Sequence, residues 1–183
     1  MTTKDFAELF SGLRLAYGSY RPNEDNGPGK QKGQYRVVSE DIDDDRLIEL
    51  WDNHLRGIES LGIVPIREDN SCVWGAIDID TYPLKHDALV ERLVKRNELP
   101  FVVARSKSGG AHVFCFVSEP VSASTMQTKL KEIASALGYG TAEIFPKQTK
   151  LLLEKGDRGN ILNMPYFGGS SSTRYCHNDD GEG

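Results

Sequence analysis

The chain has 183 residues, of which 38% are hydrophobic and 27% charged, with a net charge of −5. That length suits one domain of ordinary size, or one core with a smaller module packed on it. No apolar run approaches the roughly 20 residues of a membrane-spanning helix, and the start "MTTKDFAELF" lacks the basic-then-apolar layout of a signal peptide, so a soluble, cytoplasmic protein without a membrane partner is expected.

Three cysteines, an odd number with no CxxC pair, argue against a disulfide framework and a zinc ribbon. Strand alternation predicts Cys72 on the side of Trp74 and Cys115 with Val113 and Val117, hence buried, unreactive thiols without a shared metal. The acidity is local. "EDIDDD" (40–45) holds five acids and the tail "HNDDGEG" (177–183) three; without them 22 basic residues face 19 acidic ones, a balance of +3. A basic groove therefore remains compatible with the composition. The tail has no cap or apolar anchor, and residues 176–183 are expected to lead into a further C-terminal region.

In chain order, residues 4–12 predict a short helix opened by Thr2 or Thr3, and "NEDNGPGKQKG" (23–33) a polar, mobile loop. A helix follows from about Asp43 to Gly57, with Leu47, Ile48, Leu50, Trp51, His54, Leu55 and Ile58 at helical spacing behind an acidic first turn. "LGIVPI" (61–66) predicts a strand and "REDN" a turn. From there the pattern is strand 72–79, helix 86–97, strand 101–105, loop 106–110, strand 111–117, helix 122–138 and strand 142–145. The last helix has Ser122 as cap and Gly138 as stop. This β-α-β-β-α-β order is the ferredoxin-like, or RRM-like, arrangement. The fold class is α/β (α+β), with the RRM-like pattern in residues 71–175 and a smaller N-terminal α/β module in residues 1–70.

In the usual 4-1-3-2 antiparallel sheet, the end of the first strand lies beside the starts of the third and fourth. Residues two apart share a face. Val73, Ile77 and Ile79 should pack under the two helices with Val113, Cys115, Val117 and Ile144. The opposite face then carries Trp74, Asp78, Asp80, His112, Phe114, Phe116 and Glu143, so three acids and a histidine are expected at one corner.

Asp78 and Asp80 have Cα atoms roughly 7 Å apart on one face, close enough to converge on a hard cation. Carboxylates suit Mg²⁺ or Mn²⁺, and Glu143 as a third acid allows two ions about 3.5–4 Å apart. Like charges held together without such ions are destabilising. At the same corner "ARSKSGGAH" (104–112) offers Arg105, Ser106, Lys107, Ser108 and the amides around Gly110, groups that suit triphosphate oxygens, with His112 as a further donor. Lys147, Gln148 and Lys150 are candidate contacts to template or primer phosphates, against a merely solvated loop. "GNILNMPYFGG" (159–169) and Arg174 form either a final strand and packing segment or a wrap that returns Asn163 and Arg174 to the nucleotide. His54 and His86 have no predicted partners.

The segments "AIDID", "RSKSGGAHVFCF", "EIFPKQ" and "GNILNMPYF", in this order, resemble the archaeo-eukaryotic primase superfamily, in particular the primase-polymerase domains of phages and mobile elements. The likeness runs from about residue 14 to 175 and includes "HLRGIESLGIVPI" (54–66) ahead of the first acidic motif. It implies that the two halves pack together, the RRM-like one as the catalytic half, and that the active site lies in the cleft between them, with Asp78, Asp80 and Glu143 as ligands of two Mg²⁺ or Mn²⁺ ions and His112 against the incoming nucleotide. The family often has Asp where Glu143 stands. The implied reaction is DNA-templated primer synthesis or extension from nucleoside triphosphates on single-stranded DNA, serving replication. A fused or associated replicative helicase is the implied partner, in the host cytoplasm if the chain is phage-encoded.

Three other readings compete. A metal-dependent nuclease uses the same acids but needs no triphosphate hairpin. A non-catalytic RRM-type binder would stack bases on Phe114 and Phe116, yet has no use for buried like charges, and the N-terminal module is expected to cover those rings. A palm-type nucleotidyl cyclase has no need of the basic "PKQTK" loop.

Overall fold

The computed structural model describes residues 1–22, 33–95 and 100–177. The expected polar loop, but for Gly33, and the last residues of the helix predicted at 86–97 lie outside these, as does the tail beyond His177.

The N-terminal part opens with helix α1 (Thr3–Leu9). Thr2 caps it, accepting from the Asp5 amide while the Asp5 side chain accepts from the Thr2 amide. Strands β1 (Tyr17–Pro22), β2 (Gly33–Val38) and β3 (Ser60–Ile63) follow, with α2 (Asp44–Leu55) between the last two. The acidic run serves this helix. Asp43 caps it, and Glu40 pairs with Arg46 at 2.7 Å. β1 and β2 carried little strand signal because Gly18, Ser19 and Arg21 interrupt the apolar alternation.

The second sheet holds β4 (Ser71–Ile79), β5 (Phe101–Arg105), β6 (Ala111–Ser122) and β7 (Glu143–Phe145), with α3 (His86–Val90), extended by a π-helical turn through Lys95, and α4 (Ala123–Ala136). Two short strands complete the chain: β8 (Leu162–Asn163) and β9 (Cys176–His177). All pairings are antiparallel, in the orders β2-β1-β3-β8 and β7-β4-β6-β5-β9. The expected 4-1-3-2 order is thus present in the second sheet, with β9 added at its edge, while β8 returns the chain to the first sheet.

Two predicted face assignments, those of Cys72 and Val73, are corrected. The β4–β6 register shifts between Cys72 and Trp74, opposite a stretch of β6 that contains Pro120, which has no amide to offer a ladder. Cys72 therefore joins the helix-side core with Ile77, Val113 and Leu130, and Val73 packs with Trp74 on the other side. On the helix side Gly75 lets α4 approach closely; a Cβ there would stand 2.7 Å from Met126. The three thiols are free, and burial pushes Cys72 up to about 11 and raises Cys115 and Cys176, as expected of unreactive cysteines.

The two sheets share an aromatic core. Phe10 of α1 lies 5.5 Å from Trp74, 5.2 Å from Phe114 and 5.3 Å from Phe116, and Phe6 stacks on Trp51 at 5.1 Å. The rings an RRM-type binder would present are covered by α1. Among the described residues no helix is long and apolar enough to cross a membrane.

Candidate active site

The apolar strand β4 fixes its carboxylates by register. Asp78 pairs with His112 of β6 on one side and Glu143 of β7 on the other, so the three form one row across three strands. Nε2 of His112 stands 3.5 Å from Oδ1 of Asp78, and both side chains are largely buried. That Oδ1 has no hydrogen-bond partner. Burial, then the charges of Asp80 and Glu143, push Asp78 up to about 6, with Lys147 opposing. Burial holds His112 down to about 4, neutral at pH 7; Arg174 pushes the same way, while Asp80 and the Asn163 backbone oppose.

The hairpin 106–110 closes over the end of this row. Ser106 is buried, its amide donates to the Gly110 carbonyl at 2.9 Å, and the Gly109 amide donates to Ser106 at 3.1 Å. Gly110 lies so close to β4 that a Cβ would collide with the carbonyl oxygen of Ile79, between the two aspartates. Lys107 places its ammonium 3.7 Å from the Tyr20 ring centroid, joining the hairpin to the first sheet. Arg105 packs its guanidinium over Gly109.

From the first sheet, β8 brings Asn163 to His112. Arg174 is buried, with Nη1 3.3 Å from Ser60 Oγ and its guanidinium 5.1 Å from the Phe167 ring centroid. Among the described residues no carboxylate ion-pairs with it. This buried cation is answered, among the described residues, by a hydroxyl, a ring and the Tyr20 phenol rather than by a carboxylate.

Two of the three candidate residues of the basic loop have partners within the chain. Lys147 pairs with Glu143 at 2.6 Å and lies 5.0 Å from the Phe145 ring centroid. Gln148 turns inward, 3.5 Å from Asp157, and Lys150 is exposed. Among the described residues no three His, Cys, Asp or Glu side chains are grouped closely enough to hold an ion.

Sequence reasoning missed two residues here. The Tyr82 hydroxyl lies 2.8 Å from both Asp80 Oδ1 and Ser108 Oγ, tying acid to hairpin. Its signal was position alone, two residues past Asp80. His86, expected to lack a partner, holds the Gly110 carbonyl at 2.9 Å. His54 also has partners: it accepts from the Leu61 amide at 2.8 Å and donates to Pro165 O at 2.7 Å, a structural cross-link. A cleft of ≈ 320 Å³ opens beside the row, lined by Asp78, Asp80, Thr81, Tyr139 and Glu143 among others.

Residues 14–177 match the family described as the archaeo-eukaryotic primase domain of TOTE conflict systems. The chain belongs to the archaeo-eukaryotic primase family. The match covers both sheets and every residue of the row, and it makes the chain a primase-like nucleotidyltransferase domain of a conflict system. No curated protein matches the chain. Primase domains of this superfamily typically use divalent metals. The partnerless, buried oxygen of Asp78 fits such an ion, since burial and the charge of Asp80 both raise the cost of ionising Asp78 without one.

Proposed function

We propose that the chain is a DNA primase-polymerase: it transfers nucleotides from nucleoside triphosphates to a 3′-hydroxyl on a single-stranded DNA template. What supports this most is Asp78, a carboxylate kept buried with an oxygen unpartnered, in register with Glu143 and His112 and facing a glycine-tight hairpin. Asp78 and Asp80, with Glu143 released from Lys147, would hold two Mg²⁺ or Mn²⁺ ions. These ions supply positive charge at the attacking and leaving oxygens.

The protein's own groups do the rest. Ser106, Ser108 and the hairpin amides hold the β- and γ-phosphates, Arg105 and Lys107 add charge, and the His112 imidazole, on moving its single proton from the nitrogen that serves the Asn163 backbone to the other ring nitrogen, donates to a phosphate oxygen. Arg174, carried by the segment just ahead of β9, neutralises the triphosphate from the first-sheet side, with Asn163 beside it. The primer O3′ bonds to the α-phosphorus, the bond to the bridging oxygen of the β-phosphate breaks, pyrophosphate leaves, and the hydroxyl proton passes to solvent. Lys150, with Lys147 and Gln148 once displaced, follows the template backbone. The N-terminal module, residues 1–70, closes the cleft over the catalytic half, residues 71–175, and a helicase, fused or associated, supplies single strands.

The test is extension of a labelled primer on a DNA template with Mg²⁺ or Mn²⁺ and nucleotides. Templated lengthening, reduced on the order of 10²-fold or more in Asp78→Ala, supports the proposal. Shortening of the strand without nucleotides supports a nuclease instead, and metal-independent binding without reaction supports a passive binder.

A further inference from the structure

The segment from Asp80 to the first residue of α3 is fastened to the hairpin at two points. The exposed one is Tyr82, whose hydroxyl reaches Ser108. The buried one is His86, with Nε2 2.9 Å from the carbonyl oxygen of Gly110. A carbonyl only accepts, so Nε2 carries the proton. The same oxygen also accepts from the Ser106 amide at 2.9 Å, so both of its lone pairs are engaged and the hairpin is closed from two directions.

The orientation of His86 is itself fixed. Its ring stacks on that of His177 at 4.8 Å between centroids and 8° between planes. His177 sits on β9, whose residues pair with Val103 and Ala104 of β5, and the Arg105 amide donates to Tyr175 O at 2.9 Å. Nδ1 of His177 lies 3.5 Å from Asp87, the neighbour of His86. The edge strand and α3 thus hold one imidazole from both sides, and that imidazole holds the residue whose missing Cβ lets the hairpin rest on Ile79.

We propose that His86 is a positioning residue for nucleotide binding: its Nε2–H, oriented by the His177 ring, sets the height of the hairpin 106–110 above Asp78 and Asp80. This rests on reading the hairpin as the triphosphate site. Losing His86 should loosen the hairpin, leaving its amides less well placed for the phosphates, while the loop of Lys147 to Lys150, which His86 does not touch, is unaffected.

The experiment compares the wild-type chain with H86F, which keeps a ring against His177 but has no donor, and H86Q, which restores a donor near the Nε2 position. Two readouts are taken: hydrogen exchange across residues 106–112, and the Kd of a non-hydrolysable nucleoside triphosphate with Mg²⁺, alongside KM for nucleotide and for primer-template. H86F should exchange faster across the hairpin and bind triphosphate roughly tenfold more weakly, with the primer-template KM unchanged, and H86Q should recover most of both. If H86F does not fold, H86M, also without a donor, takes its place. Hairpin exchange in the donorless variant equal to wild type, or H86Q impaired as much as that variant, overturns the role of His86. Faster hairpin exchange together with no triphosphate binding by the wild type supports the positioning and overturns the triphosphate reading alone.

Discussion

Glu59, just ahead of β3, and Asp78 in the second sheet are both partly buried carboxylates, and the protein treats them in opposite ways. Burial works against ionisation at Glu59, but Ser19, Arg21 and Arg36 outweigh it and hold the group down to about 2. At Asp78 burial acts with the charges of Asp80 and Glu143, an oxygen is left without a partner, and the group rises to about 6. The first carboxylate fastens three strands together. The second is a cost to the fold that a cation bound beside it would relieve, the kind of strained ionisation that functional sites concentrate.

Neutralising each carboxylate breaks that comparison most forcefully. Asp78→Asn should abolish primer extension, by on the order of 10²-fold or more, without lowering the unfolding free energy measured in urea, because it removes a repelled charge. Glu59→Gln should do the reverse: extension persists, while stability falls by about 1–2 kcal/mol, limited because both arginines are mostly exposed. Two variants equal in both readouts would erase the distinction.

A smaller effect sharpens it. His54 and His112 are both held to about 4 by burial, one satisfied by backbone on two sides, the other facing acids. Against an ordinary value of 6.5, each binds fewer protons in the fold than in the unfolded chain between those limits, so stability falls as the pH drops from 6.5 to 4. Asp78, at about 6 against 3.8, holds a proton in the fold that the unfolded chain has lost, and its contribution declines as the pH rises across that window. Two histidines outweigh one carboxylate. Urea unfolding between pH 7.5 and 4.5 should show net loss on acidification, shallower in His112→Asn and steeper in Asp78→Asn; a flat wild-type profile contradicts the assignment.

The second sheet was legible in the sequence because alternation, caps and turn residues agreed. β5 and the cap of α4 match the prediction, and registering β4 against β6 and β7 was enough to place Asp78, His112 and Glu143 in one row. Other features needed coordinates. The register shift at Cys72 reverses a face, and no alternation rule announces it. The ion pair that draws Glu143 to Lys147 depends on rotamers and a turn after β7. His86 and Tyr82 act through a loop carbonyl and a hydroxyl, contacts that leave no periodic trace. β8 joins the first sheet from a hundred residues downstream of β3, a pairing with too few residues to signal itself.

The most direct measurement is anomalous diffraction from crystals soaked in Mn²⁺ and a non-hydrolysable nucleoside triphosphate. Manganese between the carboxylates of Asp78 and Asp80, with the β- and γ-phosphates under the Ser106 to Gly110 hairpin, is the predicted result. Manganese and nucleotide bound elsewhere, with Asp78 left untouched, would contradict it.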